Sequence, residues 1–217
     1  MSLQIVETFD RHAEQYDEWF EHHSIVFNSE LIALQKVMPL KGDALEIGVG
    51  SGRFASALGV KFGLDPSTAL LKIAKSRGIE TFEGVAESLP FSDHMFDTVL
   101  FITTLCFVDD PLKALFEARR VLKQHGQIII AIIDKNSELG KFYEANKKQN
   151  TFYQQAHFFS VPEVITLLKK TGFETFDYYQ TIFSPAGKIN TKEMVKSGYG
   201  DGGFVVISAK VAKWENV

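Results

Sequence analysis

Residues 45–54 read Leu-Glu-Ile-Gly-Val-Gly-Ser-Gly-Arg-Phe. A short apolar run carrying one acid stops at Gly48, glycines recur at Gly50 and Gly52, and a helical pattern starts at Arg53. A turn this rich in glycine lets a ligand press on bare backbone, because no Cβ holds it off. It also places that ligand near the start of the next helix, where backbone N–H groups favour anionic groups. The spacing is G-x-G-x-G, and Arg53 stands where a dinucleotide fingerprint needs its third small residue. The chain is therefore constrained to a strand–turn–helix ligand site whose spacing departs from the dinucleotide fingerprint at Arg53.

With 217 residues, 45% hydrophobic and 23% charged, the chain reads as one soluble domain. Roughly 70% of the unfolded surface can be buried at this length. A net charge of −4 lacks the basic footprint of a nucleic-acid binder. The single cysteine, Cys106, allows no internal disulfide and suits a reducing compartment, so a cytoplasmic location is expected. No basic leader with an apolar core opens the sequence, and no run approaches a membrane span. A monomer or homodimer without membrane or nucleic-acid partners is expected.

Periodicity orders the elements. Residues 3–38 carry apolar positions at helical spacing, with a break near Ser24, and form a candidate cap ending at Pro39. Strands are expected at Ala44–Ile47, Val60–Leu64, Glu80–Val85, Phe96–Thr103 and Gln127–Ile133. Helices at Arg53–Leu58, Ser67–Arg77 and Asp110–Lys123 alternate with them. This alternation predicts a parallel sheet with helices on both faces. A helix at Pro162–Thr171 then leads to strands at Phe173–Phe183 and Phe204–Val211. No helical pattern separates these two strands, so antiparallel pairing is expected. The division is 1–39 cap, 40–134 ligand-binding half and 135–217 substrate-side half within a single domain, 1–217.

Ligands of open α/β sheets sit beyond the carboxyl ends of the strands. That selects the glycine turn, Asp65, Ala86 and Glu87, then Thr103 and Thr104, and finally Asp134. Asp65 can accept two ribose hydroxyls, or it can serve only the following helix.

The ordered motifs resemble those of class I S-adenosylmethionine-dependent methyltransferases. Leu45–Gly52 is similar to their first motif and Gly63-Leu64-Asp65-Pro66-Ser67 to their second. Ala86–Phe91, Phe96–Leu100, Phe107–Pro111, Arg119–Lys123 and Gly126–Ile130 complete the order. Phe9–Trp19 resembles the cap of small-molecule members, including the ubiquinone/menaquinone-type group. The resemblance implies a three-layer Rossmann-like sheet of seven strands, mostly parallel, with an antiparallel C-terminal hairpin and an N-terminal helical cap. S-adenosyl-L-methionine is the cofactor it implies. Glu46 would support the glycine turn and the methionine amine. Gly48, Gly50 and Ser51 would approach the methionine and ribose. Arg53 would pair with the methionine carboxylate. Asp65, followed by Pro66, would hold the ribose diol. Ala86 and Glu87 would contact adenine, Thr103 and Thr104 would flank the sulfonium, and Tyr16 would close over it.

The expected reaction is in-line methyl transfer to a small-molecule acceptor of amine, phenol or quinol type. The histidine that small-molecule members often carry after the fourth strand is replaced by Thr103-Thr104-Leu105-Cys106. No catalytic residue is therefore assigned. His12, His22, His23 and His157 read as surface or cap residues, Cys106 as a buried filler, and no metal site is expected. Substrate selection is expected to fall to the N-terminal cap and to the aromatic segments Asp134–Phe159 and Ser184–Gly203, the last a candidate lid. The alternatives are an NAD-dependent oxidoreductase, which Arg53 opposes, and a catalytically inactive binding module of the same fold.

Overall fold

The computed structural model describes residues 3–185 and 187–212; Met1, Ser2 and Ala186, parts of the expected cap and lid, lie outside them. Three helices open the chain: α1 Leu3–Arg11, α2 Ala13–His22 and α3 Ser24–Gln35. The expected break near Ser24 is present, and a second falls at His12. An alternating region follows: β1 Ala44–Ile47, α4 Arg53–Leu58, β2 Phe62–Asp65, α5 Thr68–Ser76, β3 Glu80–Glu83, β4 Phe96–Ile102, α6 Pro111–Val121 and β5 Leu122–Ile133. The chain ends with α7 Glu138–Asn146, α8 Val161–Lys170, β6 Phe173–Thr181, β7 Lys196–Ser197 and β8 Phe204–Val211.

One sheet runs in the order β3-β2-β1-β4-β5-β8-β6-β7. Its first five strands are parallel, and β8 enters antiparallel between β5 and β6. The sheet has eight strands, not the seven expected. The additional one is two residues long and pairs with Tyr179 and Gln180 inside the connection read as structureless. Such a pair carries too little periodicity to be seen in sequence. The helix expected to reach Lys123 stops at Val121, because Leu122 already pairs with Phe96 across a register shift. The segment 135–159 contains α7, which its polar composition concealed.

Alternation explains why the central strands are apolar throughout. On β4, Val99 and Phe101 pack into the core under α6 and α8, whereas Leu100 and Ile102 pack under α3, α4 and α5. Ile128, Ile130 and Ile132 divide in the same way from Ile129 and Ala131 on β5. Both faces are buried, as a parallel sheet requires. A third cluster joins Ile5, Phe9 and Ala13 to Phe107, Ile133 and Phe158, and so lays the cap across the carboxyl ends of the strands.

Strand order reverses at β1: the chain winds outward through β2 and β3 and returns to β1's other side as β4. That switch point opens a crevice beyond β1 and β4, and the glycine turn lies in it.

Helix α6 shows how local chemistry fixes a boundary. The Asp110 carboxylate accepts the Lys113 N–H at 3.0 Å and Pro111 occupies the first turn. Asp110→Ala is expected to cost about 1 kcal/mol of stability, measured by urea unfolding with an unchanged m-value.

Candidate functional site

The glycine turn is held from below by one carboxylate. Asp65 Oδ2 accepts the Gly50 N–H at 2.9 Å, and Oδ1 accepts the Ser67 N–H at 2.8 Å. Asp65 is 6% exposed. Burial pushes its pKa up to about 6 against the pull of those two amides, with Asp10 adding to the rise. The helix cap itself is Ser67, whose hydroxyl accepts the Leu70 N–H. Asp65 thus joins two loops rather than capping a helix, and it also faces the cavity described below. Glu46, 2% exposed, accepts the Ala55 amide, while its Oε2 has no hydrogen-bond partner among the described residues. Burial, then repulsion from Asp65, raises its pKa well above the carboxylate range.

The turn's own amides are largely spent. Gly48 and Val49 donate to the Leu64 carbonyl, Gly50 donates to Asp65 and Gly52 donates to the Val49 carbonyl. What the missing side chains provide is room for close-packed neighbours. Gly48, Gly50 and Gly52 all have positive φ, and the space a Cβ would fill at Gly48 is taken by Thr104. At Gly50 it is taken by Tyr16, whose ring would lie 3.2 Å away.

A cavity of about 260 Å³ lies over this turn. Its floor is Gly48, Gly50, Asp65, Thr103 and Thr104, and its roof is built by the cap, including Tyr16, Trp19 and Glu30. Two β-branched residues on its wall, Thr103 and Ile182, have φ of 51° and 62°. Each such backbone costs about 1–3 kcal/mol, and here both strained positions end a strand at the cavity.

The structure therefore brings Tyr16, Gly48, Gly50, Asp65, Thr103 and Thr104 together on one cavity. Glu46 and Ser51 lie buried in and beside the turn beneath it. Pro66, Ala86 and Glu87 are not on its wall. Ala86 packs into the core, and Glu87 accepts the Asp109 and Asp110 N–H groups at 2.9 and 3.3 Å.

Arg53 has a different partner from the expected one. Its guanidinium grips Asp17 through Nε at 2.8 Å and Nη2 at 2.7 Å, and reaches Glu21 at 2.8 Å. Arg77 adds a bond to Asp17 at 2.8 Å and another to the Ser51 carbonyl at 2.8 Å. Burial opposes ionisation of Asp17, but the arginine hydrogen bonds outweigh it and hold the carboxyl at about 2. These bonds clamp α2 onto the glycine turn. A sequence offers no signal for a pairing across 36 residues.

Sequence reasoning also missed Glu30. It is 9% exposed, lines the cavity, and has no hydrogen bond or ion pair among the described residues. Burial alone raises its carboxyl to about 8. Tyr16, Tyr143 and Tyr153 lie within electrostatic reach, and each hydroxyl is pushed up by its own burial. His23 reaches the wall while exposed, its ring stacked on Trp19 at 4.4 Å. Cys106 is a partly buried thiol donating to the Thr103 carbonyl, and burial pushes it up to about 12. Among the described residues no group of three or more His, Cys, Asp or Glu gathers as metal ligands, and no helix is long and apolar enough to cross a membrane.

The comparisons agree with this geometry. A family model described as a methyltransferase domain matches residues 45–130. An uncharacterized protein of Methanocaldococcus jannaschii is 49% identical over 93% of this chain and 98% of its own length. The crystal structure of an S-adenosylmethionine-dependent methyltransferase from Thermotoga maritima, described as a possible histamine N-methyltransferase, superposes with a TM-score of 0.91. It is 45% identical and covers 94% of this chain and 98% of that one. A demethylmenaquinone methyltransferase of the same organism is 27% identical over 82% of this chain and 91% of its own. The chain belongs to the class I S-adenosylmethionine-dependent methyltransferases. It is an enzyme of that family, and its cofactor is S-adenosylmethionine. The oxidoreductase alternative falls with that assignment.

Two stability predictions follow from the carboxylates. The Asp17 contribution is fully present above its ordinary pKa of 3.8 and is lost as pH falls through about 2. Asp17→Asn should therefore lower stability at neutral pH, with the gap to wild type closing over that acidic window in urea unfolding. Glu30 has the opposite sign: its folded pKa is raised from 4.5 to about 8, so it costs stability as pH rises through that interval. Glu30→Gln should match wild type near the lower end and exceed it at the upper end in the same assay.

Proposed function

We propose that this protein transfers a methyl group from S-adenosylmethionine to a small-molecule acceptor held in the cavity under the cap. The observation that carries the reading is the enclosure itself. The glycine turn, Asp65 and the Thr103–Thr104 pair open into a concave chamber roofed by aromatic side chains, the form of a small-molecule site.

The residues present fit the cofactor. Asp65 faces the cavity with two carboxylate oxygens, each using only one of its acceptor sites on a backbone amide. Gly48 and Gly50 line the cavity with backbone alone, and Glu46 keeps one buried oxygen without a partner among the described residues. In this reading Asp65 holds the ribose diol, Gly48, Gly50 and Ser51 lie along the ribose and methionine, and Glu46 receives the methionine amine. Thr103 and Thr104 face the sulfonium and Tyr16 covers it. Arg53 acts through the cap by gripping Asp17, and the adenine contacts expected of Ala86 and Glu87 would need the 84–97 loop to approach.

Bound S-adenosylmethionine supplies an electrophilic methyl group on a positively charged sulfur. The protein's contribution is to align an acceptor in line with it and to exclude water; such positioning supplies roughly 7–11 kcal/mol. The aromatic roof removes water and offers ring faces to the acceptor. Amine, phenol and quinol acceptors are all of a size to enter; one relative is described as a possible histamine N-methyltransferase and another as a demethylmenaquinone methyltransferase. The lid segment joins the roof through Gly187 and Ile189. It is moored by the Glu193 carboxylate to the Phe183 and Ser184 amides, and by the Glu193 amide to Ser29 at 3.0 Å.

Calorimetry with S-adenosylmethionine tests the reading. Wild type should bind it, and Asp65→Asn should weaken binding by roughly tenfold or more, as loss of charged hydrogen bonds implies. Asp109→Ala should leave affinity unchanged. Equal affinities in the two variants would remove Asp65 from the ribose, and no binding by wild type would defeat the proposal.

A further inference from the structure

We propose that Glu30 recognises the acceptor as a positively charged amine, so that this site methylates nitrogen. The inference rests on the methyl-transfer reading above and adds the acceptor's charge and the atom that receives the methyl group.

Glu30 does nothing visible for the fold. It sits on α3 facing the cavity, nine-tenths buried, with no cation, amide or hydroxyl bound to it among the described residues. An unpaired carboxyl in such a place is a liability when ionised, and an apolar side chain of similar size would remove it. Its neighbour Ser29 is satisfied, donating to the Ile25 carbonyl at 2.8 Å and accepting the Glu193 N–H. The open acceptor sites of Glu30 point to a ligand that carries the missing donors.

The surroundings select the ligand's charge. Glu30 shares the cavity wall with Tyr16, Trp19, Phe20 and Tyr143, whose ring faces are electron-rich and favour a cation. Asp65 and Glu30 are the charged residues on the described wall, and no Lys or Arg joins them. An acceptor bearing a carboxylate or phosphate would meet two like charges and no Lys or Arg on that wall. A neutral phenol or quinol would offer the carboxylate a hydrogen bond but no opposite charge. An ammonium group satisfies the carboxylate and the ring faces together.

Asp65, Tyr16 and Glu30 all line this one cavity. An amine anchored at Glu30 therefore occupies the same chamber as Thr103 and Thr104. The proton balance closes there. The Glu30 carboxylate takes one proton from the ammonium, freeing the nitrogen lone pair. That pair forms the N–C bond as the methyl C–S bond breaks, with its electrons passing to sulfur. The product leaves as a methylated ammonium, and the Glu30 proton goes to water, so one proton is released per turnover.

The test uses a panel of small primary amines, each paired with the alcohol of the same skeleton, such as 2-phenylethylamine with 2-phenylethanol. Binding to full-length protein saturated with S-adenosylhomocysteine is read by calorimetry, and turnover by product release. Wild type should prefer at least one amine over its alcohol by roughly tenfold or more, the range of a charge-assisted hydrogen bond. Glu30→Gln should abolish that preference while keeping its fold and its affinity for S-adenosylmethionine; Glu30→Asp should keep part of it. A panel with no amine preference, a preference surviving in Glu30→Gln, or a loss of cofactor affinity in Glu30→Gln with amine binding intact would overturn the assignment. Failure of wild type to bind S-adenosylmethionine would be seen in a separate titration and would strike the methyl-transfer reading itself.

Discussion

The site depends on the two hydrogen bonds that Asp65 accepts, from Gly50 at 2.9 Å and from Ser67 at 2.8 Å. They tie the loop after β1 to the loop after β2 at the point where strand order reverses. A buried carboxylate would be costly alone, and those amides are what make it tolerable. The consequence is a turn of three left-handed glycines fixed in one shape. Thr104 fits against Gly48 and Tyr16 against Gly50, so β4 and the cap are both positioned by a turn that belongs to neither.

A second set of interactions closes the molecule over that turn. Asp17 on α2 receives Arg53 from α4 and Arg77 from the end of α5. Asp10 on α1 accepts the Ser67 hydroxyl at 2.6 Å and the Ala69 N–H at 3.0 Å. Both anchors sit on the rim of the crevice, and the aromatic contacts of Phe9 with Tyr16, Phe107 and Phe152 fill the space between. The cap is thus bolted by charge at its edges and packed by rings at its centre. Its inner surface becomes a cavity wall rather than a core, which is why a carboxyl such as Glu30 can face inward at all.

Much of the fold was legible because the signals were local. The runs Phe96–Ile102 and Gln127–Ile133 are apolar at every position, as strands covered on both faces must be. The glycine spacing, Asp65 after the second strand and Asp110-Pro111 before α6 each state a backbone requirement in the residues themselves. The two-residue β7 and helix α7 were not legible, since one is too short and the other too polar to show a period. The site was legible where it is made of strand ends. Arg53 was read toward the ligand, but a cap carboxylate 36 residues upstream claims its guanidinium.

The sequence by itself determined the class of sheet, the glycine turn and, through motif order, the cofactor. Each of these is set by backbone freedom or side-chain alternation over a few neighbouring residues. Only the tertiary structure decided what faces the cavity. Glu30 lies in a helix whose neighbours Ser29, Ala33 and Leu34 are also buried, and nothing in that local pattern says which side chain meets a core and which meets a cavity. That distinction comes from how the cap is clamped across the strand ends, through contacts between residues distant in the chain. A wall exists only once both of its sides have been assembled.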